Sequence, residues 1–284
     1  MTTVAYLGPE HTNTHLAALK RFGRRARYMH APTVEDVFSL VERKKAGYGV
    51  VPVENSLEGA VTHTLDRFAE RASPVSIVGE IELPIRHYLI SSQGTNLRQL
   101  ERVYSHPQAL AQCRAWIASH LPRGCELMEC SSTAEAVDLI AGTVLVATRG
   151  GLSRSVCRAA IGSKEAAKRR GLVARPIAIP GDNKTRFLVL GNGKPAKGGR
   201  SKTSIVFGVK DRPGALYDAL VPFKYNRINL TKIESRPSKR KAWEYLFFID
   251  IEGHAQDAKV QRALGALKRS TSLLRVLGSY PVAK

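Results

Sequence analysis

The sequence predicts an α/β protein of two lobes followed by a smaller α+β module of the ferredoxin-like type. Three observations carry this. Short apolar runs alternate with helical patterns through the first two thirds of the chain, a stretch rich in Gly, Pro and Lys interrupts them, and the order of elements changes beyond it. The length of 284 residues agrees, because single cores rarely grow much past ~250 residues.

In chain order, Val4–Gly8 reads as a strand, Thr12–Phe22 and Thr33–Lys45 as helices, and Tyr48–Val53 as a second strand; such alternation predicts a largely parallel sheet. A second set starts near Ile77. It comprises the extended run Ile81–Ser91, a helix over Pro107–Ser119, the segment Ser132–Ile140 and a strand over Val144–Ala147. Gly191–Arg200 has little to pack and reads as a linker. The remainder follows a βαββαβ order: strand Ser204–Lys210, helix Pro213–Tyr225, strands Asn229–Ser235 and Glu244–Ile251, helix Asp257–Lys268 and strand Leu274–Gly278.

Composition narrows the function classes. Hydrophobic residues make up 43% and charged residues 24%, ordinary for a folded chain, and no run approaches the ~20 apolar residues of a membrane helix. The N-terminus enters a strand pattern at once, without a basic segment leading into an apolar one, which predicts a cytoplasmic protein without a membrane partner. Cys113, Cys125, Cys130 and Cys157 lack metal-site spacing and read as reduced packing residues. The net charge of +20 raises nucleic acid as a partner, but the basic residues are dispersed and no nucleic-acid motif accompanies them. We read them as solvated faces that favour the approach of small anions.

Three segments carry candidate chemistry. Val51-Pro52-Val53-Glu54-Asn55-Ser56-Leu57-Glu58-Gly59-Ala60-Val61 runs from a buried strand into polar residues, where open α/β sheets bind ligands; Asn55 or Ser56 capping the next helix is the plain alternative. Ser105-His106-Pro107-Gln108-Ala109-Leu110-Ala111-Gln112-Cys113 places Ser105 at a helix start, as N-cap, with Gln112 about two turns on. In Asp182-Asn183-Lys184-Thr185-Arg186-Phe187-Leu188-Val189-Leu190 a polar turn precedes an apolar strand; Thr185 suits a strand on propensity alone, and Arg186 could pair with a surface acid.

Together, and in this order, these blocks resemble the prephenate dehydratase family. Gly8-Pro9-Glu10, Ser132-Thr133-Ala134-Glu135-Ala136-Val137 and Ala159-Ala160-Ile161 agree with it, while His11 and Asn13 replace the Gly and Phe of the family's G-P-x-G-T-F motif. That departure is costly if residue 11 has positive φ, although His is among the better-tolerated non-glycine residues there. Gly214-Ala215-Leu216-Tyr217 and Glu234-Ser235-Arg236-Pro237 look like the two phenylalanine-binding motifs of the family's ACT domain.

The resemblance implies a periplasmic-binding-protein-like catalytic domain over 1–191, with lobe one at about 1–76 and 176–191 and lobe two at about 77–175. A linker over 192–201 and an ACT regulatory domain over 202–284 would follow. It further implies Thr185, Glu54, Asn55, Ser105 and Gln112 as catalytic residues, with Thr185 nearest the leaving group and Asn55, Ser105 and Gln112 as neutral donors. Arg186, Phe187, Ser56 and Thr133 would contact substrate, Arg186 anchoring a carboxylate if it points inward. Glu54 would be either protonated or orienting other groups. Gly214, Ala215, Leu216, Glu234, Ser235 and Arg236 would hold phenylalanine. The partners implied are prephenate, L-phenylalanine and a second copy or more of the chain, as homodimer or homotetramer, with no metal or organic cofactor. Arogenate dehydratase and a non-catalytic amino-acid sensor are the competing readings.

Overall fold

The computed structural model describes residues 1–70, 73–142, 157–193, 199–239 and 243–283. It divides into two compact units, one of Met1–Leu7, Ala17–Leu83 and Lys184–Lys284, the other of Gly8–Leu16 and Pro84–Asn183.

The chain runs β1 (Thr3–Leu7), α1 (Asn13–Phe22), β2 (Arg27–Ala31), α2 (Val34–Glu42), β3 (Tyr48–Asn55), β4 (Gly59–Ala60), α3 (Thr62–Glu70) and β5 (Ser76–Pro84). The second unit then adds β6 (Tyr88–Ser91), β7 (Arg102–Ser105), α4 (Pro107–Gln112), α5 (Arg114–His120), β8 (Glu126–Glu129), α6 (Thr133–Ala141), β9 (Arg158–Gly162), α7 (Lys164–Arg169) and β10 (Val173–Pro176), before β11 (Lys184–Gly191) returns to the first.

In the first unit the sheet order is β2-β1-β3-β11-β5, with β4 added to β3. β1 pairs parallel with β2 and β3, while β11 pairs antiparallel with β3, so the sheet is parallel on one side only. β5 belongs to this sheet, so the longer of the two excursions leaves the first unit after Leu83 and returns at Lys184, where the sequence suggests about 76 and 176; the shorter one is Gly8–Leu16. Packing explains α2: Val34, Val37, Phe38 and Val41 are buried at helical spacing, and the Thr33 side chain accepts from Asp36 N. No helix among the described residues is long and apolar enough to cross a membrane.

The second unit has sheet order β10-β6-β9-β7-β8. The expected helix over Pro107–Ser119 is broken at Cys113 into α4 and α5. His106, not Ser105, caps α4, its Nδ1 accepting from Gln108 N at 3.3 Å. Ser105 is drawn inward because it still belongs to β7. Val144–Ala147, read as a strand, lies outside the described residues. Cys113 is fully buried and its thiol is pushed up to about 12; none of the four cysteines is in a disulfide.

The C-terminal module follows the expected order: β12 (Ser201–Gly208), α8 (Ala215–Tyr225), β13 (Leu230–Pro237), β14 (Tyr245–Glu252), α9 (Ala258–Ser270) and β15 (Leu273–Pro281), in a sheet ordered β13-β14-β12-β15 with all three pairings antiparallel. Val206, Leu246, Phe248, Leu277 and Tyr280 of this module share one apolar cluster with Leu65, Phe68, Ile77 and Leu188 of the first sheet and its helix. Such burial removes both surfaces from water at ~25 cal/mol per Å² of apolar area.

Candidate functional site

Two polar rows lie at one end of the β3/β11 pair. Asn55 opposes Thr185 and Glu54 opposes Arg186, with a bulge between Arg186 and Phe187. Opposed residues share a face and successive residues alternate, so Asn55 and Thr185 are on one face and Glu54 and Arg186 on the other. The bulge re-aims the strand beside the polar residues.

On the first face Asn55 is fully engaged. Its Oδ1 accepts from Leu57 N (2.9 Å) and Glu58 N (3.2 Å), which fixes which end of the amide is oxygen. Its Nδ2 donates to the Thr185 hydroxyl at 2.9 Å and to the Lys184 carbonyl at 3.2 Å. Ser56 closes the turn, with its N–H on the Lys184 carbonyl and its hydroxyl accepting from Lys184 N, each at 2.9 Å. The amide that holds the turn, as the capping alternative has it, is thus the same one that holds the Thr185 hydroxyl.

On the second face Arg186 is claimed by three carboxylates: Glu54 at 2.9 Å, Glu80 at 3.2 Å and Asp250 at 2.6 Å. An arginine so neutralised does not offer its fork to a substrate carboxylate, which corrects the reading of Arg186 as an anchor. Phe187 is corrected likewise: it is 1% exposed and packs with Val4, Tyr6, Val50 and Ile81. Burial pushes the Glu54 carboxyl up, but Lys232 at 3.1 Å and Arg186 outweigh burial and hold it below its ordinary value. Of the two readings the sequence left open for Glu54, protonated or orienting other groups, its contacts with Lys232 and Arg186 fit the second.

The second unit carries its own polar set. Gln112 Oε1 accepts from His87 Nε2 at 2.7 Å and from Asn183 Nδ2 at 2.9 Å. His87 is 6% exposed, and burial lowers its pKa against the opposing pull of Gln112. Sequence reasoning missed His87, since nothing in Pro84-Ile85-Arg86-His87 marks it. Ser105 has no exposed surface, and its hydroxyl donates to the Ile161 carbonyl at 2.8 Å, so it ties β7 to β9 instead of presenting a donor. Thr133 is half-buried in the first turn of α6, behind Ser132, whose hydroxyl caps that helix. His11 does have positive φ, at 65°; its N–H donates to His15 Nδ1 at 3.0 Å and the two rings meet edge to face.

In the C-terminal module, Gly214, Ala215 and Leu216 line a cavity of about 640 Å³ together with Asp211, Arg212 and Trp243. Gly214 sits at φ 77°, a left-handed conformation that favours glycine, and opens α8. Glu234, Ser235 and Arg236 do not line this cavity. Arg236 instead grips Asp66 of α3 with two bonds of 3.0 and 3.1 Å, and Lys239 reaches the same carboxylate at 2.9 Å.

The family model described as prephenate dehydratase matches residues 4–195, and that of the ACT domain matches residues 203–269. A bifunctional chorismate mutase/prephenate dehydratase of Aquifex aeolicus is 50% identical over 99% of this chain and 74% of its own length. A prephenate dehydratase of Methanocaldococcus jannaschii is 40% identical over 88% of this chain and 86% of its own. Among solved structures, the prephenate dehydratase of Arthrobacter aurescens in complex with L-Phe superposes with a TM-score of 0.86 at 33% identity, covering 99% of this chain and 90% of that one.

Proposed function

Because this chain belongs to the prephenate dehydratase family, we propose that it removes water and carbon dioxide from prephenate to give phenylpyruvate, and that phenylalanine bound at its C-terminal module restrains it. The observation that carries the mechanism is the Asn55–Thr185 hydrogen bond. The Thr185 oxygen accepts from Asn55, so its own hydrogen is turned away from Asn55 and can be donated to a leaving oxygen.

In the reaction the electron pair of the ring carbon–carboxylate bond moves into the ring as carbon dioxide departs. The ring carbon–hydroxyl bond breaks, and the hydroxyl takes up one proton to leave as water. Aromatisation drives the step. Thr185 supplies the hydrogen bond that stabilises charge growing on the departing oxygen. Glu54 acts from the opposite face, ion-paired, where its charge does not repel a dianionic substrate. Ser56, and Gln112 and Thr133 of the second unit, are our candidates for neutral donors to substrate oxygens.

The reading includes at least a homodimer in the cytoplasm, the assembly being testable by light scattering with and without phenylalanine. The deciding experiment follows product formed by the purified chain from prephenate and from arogenate. Phenylpyruvate formation suppressed by phenylalanine supports the proposal. Faster turnover of arogenate makes the chain an arogenate dehydratase, and phenylalanine binding with turnover of neither makes it a sensor.

A further inference from the structure

Six charged side chains meet behind the catalytic strand pair, three of each sign. β3, β11 and β5 contribute Glu54, Arg186 and Glu80; β12, β13 and β14 of the C-terminal module contribute Lys202, Lys232 and Asp250. Lys202 spans both Glu80 oxygens at 3.0 and 3.1 Å, and the backbone N–H of Ala283 donates to Glu80 at 3.0 Å. Asp250 accepts from the Ser204 hydroxyl, which also meets the Tyr280 hydroxyl at 2.7 Å. Every strand of the C-terminal sheet thus sends a polar group into the cluster, and Tyr280 is 1% exposed there.

Charges taken out of water are tolerated only when each is matched, and removing one partner leaves another uncompensated. Here the matching groups come from two domains. Without the C-terminal module, Glu54 would lose Lys232, and Arg186 would lose Asp250, its shortest contact. Glu54 directly precedes Asn55, and Arg186 directly follows Thr185, on strands paired in register. A shift in either side chain's anchorage is therefore delivered to the Asn55–Thr185 bond through one peptide unit.

We propose that Lys232 and Asp250 are positioning residues of the dehydratase site: they hold Glu54 and Arg186, and through them set the placement of Asn55 and Thr185. On this view β13 and β14 of the C-terminal module support the dehydratase strand pair. The row Lys232, Glu234 and Arg236 lies on one face of β13, and its two ends grip Glu54 and Asp66 of the catalytic domain. The proposal rests on the dehydratase reading above.

The test compares the full chain with Lys232→Met, Lys232→Arg, Asp250→Asn and the double variant, each checked for folding by circular dichroism. We expect Lys232→Met and Asp250→Asn to lower kcat by about ten- to a hundredfold with KM changed by less than about threefold, because displacement of reacting groups costs on that scale. Lys232→Arg restores kcat, and the double variant is less impaired than the product of the single effects, since both act through the same strand pair.

A purely structural role would leave the pH profile of kcat in place. Glu54 faces Lys232 and Arg186, with Asp250, Glu80, Lys202 and Tyr280 behind them, so loss of Lys232 leaves burial less opposed and moves the acid limb upward. If Lys232→Met does not fold, Lys232→Gln is compared with Lys232→Arg in the same assays. Both single variants folded, with wild-type kcat and an unmoved acid limb, would overturn the proposal alone. A wild-type chain that turns over neither prephenate nor arogenate sinks both the proposal and the reading it rests on.

Discussion

Asn55 Nδ2 donates to the Thr185 hydroxyl at 2.9 Å, across two strands that the sequence separates by 130 positions. The direction of that bond matters more than its existence. Asn55→Asp nearly conserves shape but replaces a donor with an acceptor, so the Thr185 hydrogen would turn inward and be lost to the leaving group. We expect Asn55→Asp and Thr185→Val each to lower kcat by ~10²-fold or more, the range of a positioned proton donor, with Thr185→Ser retaining most of it. Steady-state turnover of prephenate checks this, and full activity in Asn55→Asp would remove the Thr185 hydrogen from the mechanism.

His87 makes the stability of the second unit depend on pH. Burial lowers its pKa, so the folded form keeps the ring neutral while the unfolded chain binds a proton below about pH 6.5. The unfolded state then holds more protons, and the contribution of His87 is present above that pH and lost as the pH falls. His87→Phe should flatten the decline in Tm between about pH 8 and about pH 5, while costing ~1–3 kcal/mol at neutral pH because Gln112 loses a buried donor. An unchanged slope of Tm against pH would show that His87 is not the titrating group.

What could be read from the sequence, and what could not, divides by distance along the chain. α2 and the βαββαβ order were legible because periodicity and turn residues are local signals, and the Asn55–Thr185 region was legible because each block's motif surrounds its own residue. The fate of Arg186 was not, since its carboxylates stand at positions 54, 80 and 250 and no local pattern links them. Ser105 was misread as a cap because β7 runs one residue further than its composition suggests, carrying the hydroxyl under Ile161. The cost of His11 was conditional on its φ, and 65° is the strained case, met by the bond that the His11 N–H donates to His15 Nδ1.

Gly278 sets how closely β15 approaches β5. A Cβ at that position would lie 2.1 Å from the Ile77 carbonyl oxygen, a backbone atom that cannot rotate away. Gly278→Ala must therefore push the C-terminal sheet off the first one or distort a strand. We expect a loss of ~1–3 kcal/mol, as for other overpacked interiors, seen as a Tm lowered by several degrees. Faster proteolysis after Gly191 would accompany it. A variant as stable as the wild type would mean that the two sheets separate more readily than this contact implies.

Gly214 tests the proposed phenylalanine cavity without adding bulk to its walls. A Cβ there meets no atom within 4 Å, so whatever Gly214→Ala does must come from its φ of 77°. Holding a non-glycine residue in that conformation costs ~1–2 kcal/mol. If phenylalanine holds the first turn of α8 in this conformation while the free turn of the variant relaxes, the cost falls on the bound form alone, and affinity should fall by about five- to thirtyfold. Calorimetric titration measures the affinity directly, and the phenylalanine needed for half-inhibition should rise by the same factor because the two sites are linked. Wild-type affinity in Gly214→Ala would place the effector away from this turn.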